Sequence, residues 1–167
     1  MDGDTISPFN CVRQPFSQSE IGLNKGIVLV NRINLFWGLH WKAIPSPLTA
    51  QTLAAGYAAD YGEPTLRPDI VVGCVDTRAA RAIIAKSTVG LSGVGYWLDL
   101  GNSSSSGQFV LGEPQNARNR RSRTRLRTVA ELSELYSEVV DPALDDDSEP
   151  SCSAIEALER QECFVMP

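Results

Sequence analysis

Ile70–Val75 (IVVGCV) is the stretch that most narrows the folds open to this chain. It is a continuous apolar run of strand length, bounded by Asp69 and Asp76. Runs of this kind are strands buried on both faces, as in parallel sheets. A parallel neighbour requires a crossover, usually a helix, and Thr77–Lys86 has helical composition. Strand, acid and helix therefore follow one another directly. In open α/β sheets ligands sit beyond the carboxyl ends of the strands, and Asp76 stands at such an end. A residue there also suits a helix N-cap, a role open to Asp76 or Thr77. The two roles are compatible.

The rest of the chain supplies further elements. Residues 5–20 read as a loop broken by Pro8 and Pro15. Asn24, an N-cap type, precedes a helix expected to run to about Asn34, with Leu23, Ile27, Val30 and Ile33 toward a sheet. Leu39–Ile44 alternates and predicts a strand, which would leave His40, the only histidine, partly exposed. Residues 49–59 read as an Ala-rich helix, and 60–68 as a turn-rich connection. Tyr96–Leu100 and Gln108–Leu111 read as two strands joined by the flexible GNSSSSG loop. Val129–Val140 is expected to be a helix, Asp141–Ser151 an acidic loop and Ser153–Gln161 a last helix.

Composition excludes several classes. A chain of 167 residues can bury a real core. No segment approaches the ~20 apolar residues of a membrane span, and the acidic, polar opening lacks the features of a signal peptide. Cys11, Cys74, Cys152 and Cys163 are widely spaced, without a C-x-x-C pair. That spacing favours a reduced, cytoplasmic protein over a disulfide framework. The net charge of −5 hides a division. Residues 1–127 hold fourteen basic and nine acidic side chains, and residues 128–167 hold one and eleven. The basic run at 118–127 has no interleaved aromatic residues and an acidic segment follows it, so it reads as a solvated loop rather than a nucleic-acid site.

The opening stretch carries a resemblance. The pattern D-G-D-T-I-S-x-x-N-x-x-R-Q, then I-G-x-x-K and N-R-I-N, is similar to the ThiF/MoeB family of E1-like activating enzymes, and DIVVGCVDTRAAR resembles that family's strand-D-N/T-x-x-x-R segment. YWLDLGN, GQFVLGEP, TVAELSELYSEVVDPALDDDSEPSCS and IEALERQ look most like the ThiF-family protein of the PRTRC cassette, a gene group of bacterial mobile elements. The resemblance spans nearly the whole chain. It implies an α/β fold: a three-layer, Rossmann-like, mostly parallel sheet with flanking helices, as one partial nucleotide-binding domain over residues 1–167. Its glycine-rich phosphate loop should lie roughly 20 residues before the ribose acid. The chain is therefore expected to start after that loop, and also to stop short at its C-terminal end.

The resemblance also implies a chemistry. The C-terminal carboxylate of a small ubiquitin-like or sulfur-carrier protein attacks the α-phosphate of ATP. Pyrophosphate leaves and an acyl-adenylate forms, with Mg²⁺ neutralising phosphate charge. Matched by motif, Asp2 takes the ribose role. Asn10, Arg13 and Gln14 line the nucleotide and phosphates, and Lys25 binds phosphate. Asp76, with Thr77 beside it, positions Mg²⁺ or the attacking group. Such enzymes are commonly homodimers in which an arginine loop reaches the partner's site. Many carry zinc on two C-x-x-C pairs, which this chain lacks, so no zinc site is carried over. Some pass the acyl group to a thiol. Cys152 is the candidate because it precedes a helix, where a thiolate is favoured; Asp145, Asp146, Asp147 and Glu149 oppose this by raising its pKa. Each residue has a plainer alternative: Asp2 and Asp4 as solvated termini, Arg13 and Lys25 in weak surface pairs, Cys152 in packing. Two function classes follow, an adenylating enzyme or an adaptor that kept the fold and lost catalysis. Residues 1–167 alone, without the glycine turn, are expected to catalyse little ATP–pyrophosphate exchange.

Overall fold

The computed structural model describes residues 1–53, 68–90, 94–102, 107–121 and 132–145. The chain forms two compact units, with the described residues up to 53 in one and those from 68 onward in the other.

In the first unit a short helix, α1 (Asn10–Arg13), and a 3-10 turn (Gln18–Glu20) interrupt the expected loop at 5–20. The turn forms because Ser17 and Glu20 make a capping box, each side chain serving the other's backbone N–H. Helix α2 (Lys25–Trp37) begins where the sequence places it, with the Asn24 side chain accepting from the Ile27 N–H at 3.0 Å. It runs one turn beyond Asn34 and stops at Gly38, whose φ of 64° suits glycine at a helix C-terminus. The core of this unit is Ile6, Phe16 and Val28, with Cys11 and Leu29 against it. The buried residue of α2 is thus Val28, whereas Leu23 and Ile27 are exposed. Of the expected stripe Val30 and Ile33 are half-buried, and the opening loop covers Val28 rather than Leu23 and Ile27.

Leu39–Ile44 is not a strand. The Asn34 side-chain amide donates to the Trp41 carbonyl and accepts from the Trp41 N–H, both at 2.8 Å. With both of these backbone groups engaged, Trp41 has none left for a ladder. Residues 50–53 are helical, as expected; 54–59 lie outside the described residues.

In the second unit β1 (Ile70–Gly73) pairs parallel with β2 (Tyr96–Asn102), and β2 pairs antiparallel with β3 (Gly107–Gly112). The sheet is mixed, in the order β1-β2-β3, and the class is α/β. Helix α3 (Arg78–Gly90) makes the crossover from β1 to β2 and buries Arg81, Ile84 and Thr88, a three-to-four spacing along one face. Trp97 and Asp99 of β2 are both 1% exposed. A Cβ on Gly73 would stand 3.1–3.2 Å from Ile84 Cδ1, Asp99 Oδ1 and Trp97 Nε1, so glycine lets helix and strands close here. The alternate residues Ile70, Val72, Tyr96, Leu100, Phe109 and Leu111 are exposed. The expectation that the β1 run is buried on both faces is therefore corrected: among its strand residues only Gly73 is buried.

Helix α4 (Ala117–Arg121) takes in the start of the basic run, which sequence had placed in a loop. It is tied in by two buried amides. Asn116 donates to the Thr88 and Val94 carbonyls, and Asn119 to those of Gly95 and Pro114. Instead of one helix over 129–140, the described part holds α5 (Leu132–Leu135) and a 3-10 turn (Ser137–Val140). A second 3-10 turn (Pro142–Leu144) stands where an acidic loop was expected. Among the described residues no helix is long and apolar enough to cross a membrane.

Candidate functional site

The site residues expected from sequence fall into two groups. Asp2, Asn10, Arg13, Gln14 and Lys25 belong to the first unit, Asp76 and Thr77 to the second. Cys152 lies outside the described residues, as does the helix expected at 153–161.

In the first unit the opening segment is held to the start of α2. Thr5 bridges antiparallel to Asn24, and the Lys25 N–H donates to the Asp4 carbonyl at 2.9 Å. The Asn24 amide donates to the carbonyls of Asp2 (2.9 Å) and Asp4 (3.0 Å). One side chain therefore caps the helix and fixes both acids beside it. Asp2 Oδ1 accepts from the Asp4 N–H at 2.8 Å. Lys25 Nζ stands 3.0 Å from Asp4 Oδ2. Asp4 is the more exposed partner, and exposed pairs contribute about 0–1 kcal/mol. Asn10 has a structural task as well, because its Oδ1 accepts from the N–H and hydroxyl of Ser7 at 2.8 and 3.1 Å. Arg13 ends α1, and the Gln14 N–H closes that helix on the Asn10 carbonyl. Arg32 donates to the Pro15 carbonyl and pairs with Glu20. The Ser17 N–H, and then Arg32, hold the Glu20 carboxyl below its ordinary range.

At the second group, β1 ends at Gly73 and the chain passes through Cys74, Val75 and Asp76 into α3. Asp76 is exposed. Thr77 is the cap, its Oγ1 accepting from the Ala80 N–H at 3.2 Å. Behind the turn lies an ion pair that sequence reading passed over. Arg81 Nε donates to Asp99 Oδ2 at 3.1 Å, with side chains 9% and 1% exposed. Arg81 Nη1 reaches the Asp76 carbonyl at 3.5 Å. The buried pair thus stands directly behind the turn that presents Asp76. Partial burial of the Cys74 thiol, and then the Asp99 carboxylate, push its pKa up.

Asp145 was also passed over as a structural group. Its carboxylate accepts from the Arg78 N–H at 2.7 Å and the Ala79 N–H at 2.9 Å. Those amides, Ala79's first, hold it below the usual carboxylate range. Legible signals existed for Arg81 and Asp99: Arg81 ends the D-T-x-x-x-R segment, and Asp99 shares the period-two face of Trp97.

Among the described residues no cluster of three or more His, Cys, Asp or Glu is placed to hold a metal ion. A nucleotide-borne Mg²⁺ asks less of the protein, since it keeps waters and takes one or two carboxylates beside substrate phosphates. The exposed Asp76 fits that requirement, and Asp99, turned to Arg81, does not add to it. Comparison of the chain with family models, with curated proteins and with solved structures gives no match.

Proposed function

We propose that this protein works as an E1-like adenylating enzyme, using ATP and Mg²⁺ to activate the C-terminal carboxylate of a small ubiquitin-like or sulfur-carrier-like protein in the bacterial cytoplasm, as a homodimer. The observation that carries the reading is the β1–α3–β2 crossover, with parallel strands and an exposed Asp76 where β1 gives way to a capped helix. Ligands of α/β sheets are bound at such ends. In this reading Lys25 and Arg13 hold phosphate, Asp2 the ribose, and Asn10 and Gln14 the nucleotide. Asp76, flanked by Thr77, would hold Mg²⁺, which when bound neutralises phosphate charge. A second reading, an adaptor without catalysis, is favoured by internal partners at Lys25, the expected phosphate binder, and at the start of α3. Lys25 is paired with Asp4, and the first amides of α3 are engaged by Asp145.

The coding sequence upstream of Met1 separates the two. The enzyme requires an in-frame G-x-G-G-x-G after a strand, and its absence favours the adaptor. On the protein carrying that turn, with acceptor supplied, ATP–pyrophosphate exchange is the assay. Arg13→Ala, Lys25→Ala and Asp76→Ala are each expected to lower it about a hundredfold, since one contact to growing charge is worth on the order of 3 kcal/mol. The fall should lie in kcat more than in nucleotide affinity. Asp2→Ala should mainly weaken ATP binding, and Cys152→Ala should leave exchange intact. Wild-type exchange in both Arg13→Ala and Asp76→Ala would overturn the enzyme reading.

A further inference from the structure

Residues 132–145 are fastened to α3 by a side chain remote from it in sequence. The two 3-10 turns, Ser137–Val140 and Pro142–Leu144, pack against this helix. The second turn delivers Asp145 to the helix's first residues. Oδ1 accepts from the Arg78 N–H and Oδ2 from the Ala79 N–H. The Arg78 guanidinium returns the contact by donating to the Leu144 carbonyl. Thr77 serves the next amide, that of Ala80. A usual N-cap is covalently next to its helix and stays there. Asp145 is 67 residues from Arg78 and exposed, so its contact breaks without unwinding the helix.

We propose that residues 132–145 form a strap across α3 and that Asp145 is its clasp, held shut by the charge on its carboxylate. Opening uncovers two backbone N–H groups at the positive end of α3, beside Asp76. Arg78 and Arg81 of α3 face the clasp and favour it. On the strap itself, Asp141 is occupied with the Ala143 N–H at 3.0 Å. Asp76 adds negative charge from the strand side. The device does not depend on the nucleotide reading, because what fastens it lies within the chain.

Amide hydrogen exchange on the full chain tests it. In Asp145→Asn the Arg78 and Ala79 amides should exchange several-fold faster, while the β2–β3 amides of Leu98 and Leu111 keep their rates. Cleavage after Glu134 and Glu138 by a glutamyl endopeptidase should quicken in step. Asp141→Asn, which removes a strap charge outside the clasp, should change neither amide. Unchanged exchange at Arg78 and Ala79 in Asp145→Asn overturns the proposal. So does an equal loss in Asp141→Asn. If Asp145→Asn loses its sheet protection as well, the wild-type chain is read across increasing salt. Loss at Arg78 and Ala79 with the sheet intact supports the clasp, and loss of both together overturns it.

Discussion

At the scale of single residues, the Arg81–Asp99 pair dominates the second unit. Taking two charges out of water costs several kcal/mol per ion, and their attraction offsets it only while both partners remain. Asp99 is 1% exposed, so removing Arg81 takes the opposite charge from a buried carboxylate beside Trp97 and Ile84. Arg81→Met and Asp99→Leu should each cost about 3–5 kcal/mol, whereas the double variant should lose less than either single one. Denaturant melts of the four proteins decide it, and additive losses would show that the pair is not coupled. Gly73 belongs to the same packing, because any side chain there would crowd the atoms that the pair requires.

Among the elements, α2 shows how much one cap can carry. Asn24 serves the Ile27 N–H with its oxygen and the carbonyls of Asp2 and Asp4 with its nitrogen. Asn24→Ala should cost about 1–2 kcal/mol, toward the upper end of cap substitutions, because the opening segment loses its anchor too. Exchange of the Ile27 and Lys25 amides should rise together. If only Ile27 responds, the side chain is a cap and not an anchor.

At the scale of the molecule, two carboxylates among the described residues link folding to acidity, one in each unit. Both Glu20 and Asp145 are held below their ordinary pKa in the folded chain, chiefly by backbone N–H donors. A depressed carboxylate contributes stability that is present above its unfolded pKa, about 4, and lost as pH falls through the folded value. Thermal melts should therefore be insensitive to these groups near neutrality and show a falling midpoint below about pH 4. Asp145→Asn should flatten part of that acid limb for the second unit, and Glu20→Gln part of it for the first. An acid limb unaltered in both variants would assign the loss to other carboxylates.

What sequence alone determined here is local. Asn24 as a cap, a strand opening at Ile70, the helix after Thr77 and the strands expected at 96–100 and 108–111 follow from residue types acting on near neighbours, whereas β1 stops at Gly73 rather than Val75. Caps, turns and period-two alternation need no distant partner to be read. The tertiary structure decided what depends on distant partners. Alternation at Leu39–Ile44 suited a strand, but the Asn34 amide engaged the backbone of Trp41. The apolar residues of α2 left several faces open, and Ile6 and Phe16 settled on Val28. Asp145 read as one acid among several, until folding brought it to amides at Arg78 and Ala79. Its selection among those acids rests on long-range geometry, since a carboxylate's binding strength comes from the donors placed around it. For the same reason Arg81 and Asp99 were each visible in sequence, while their pairing was not.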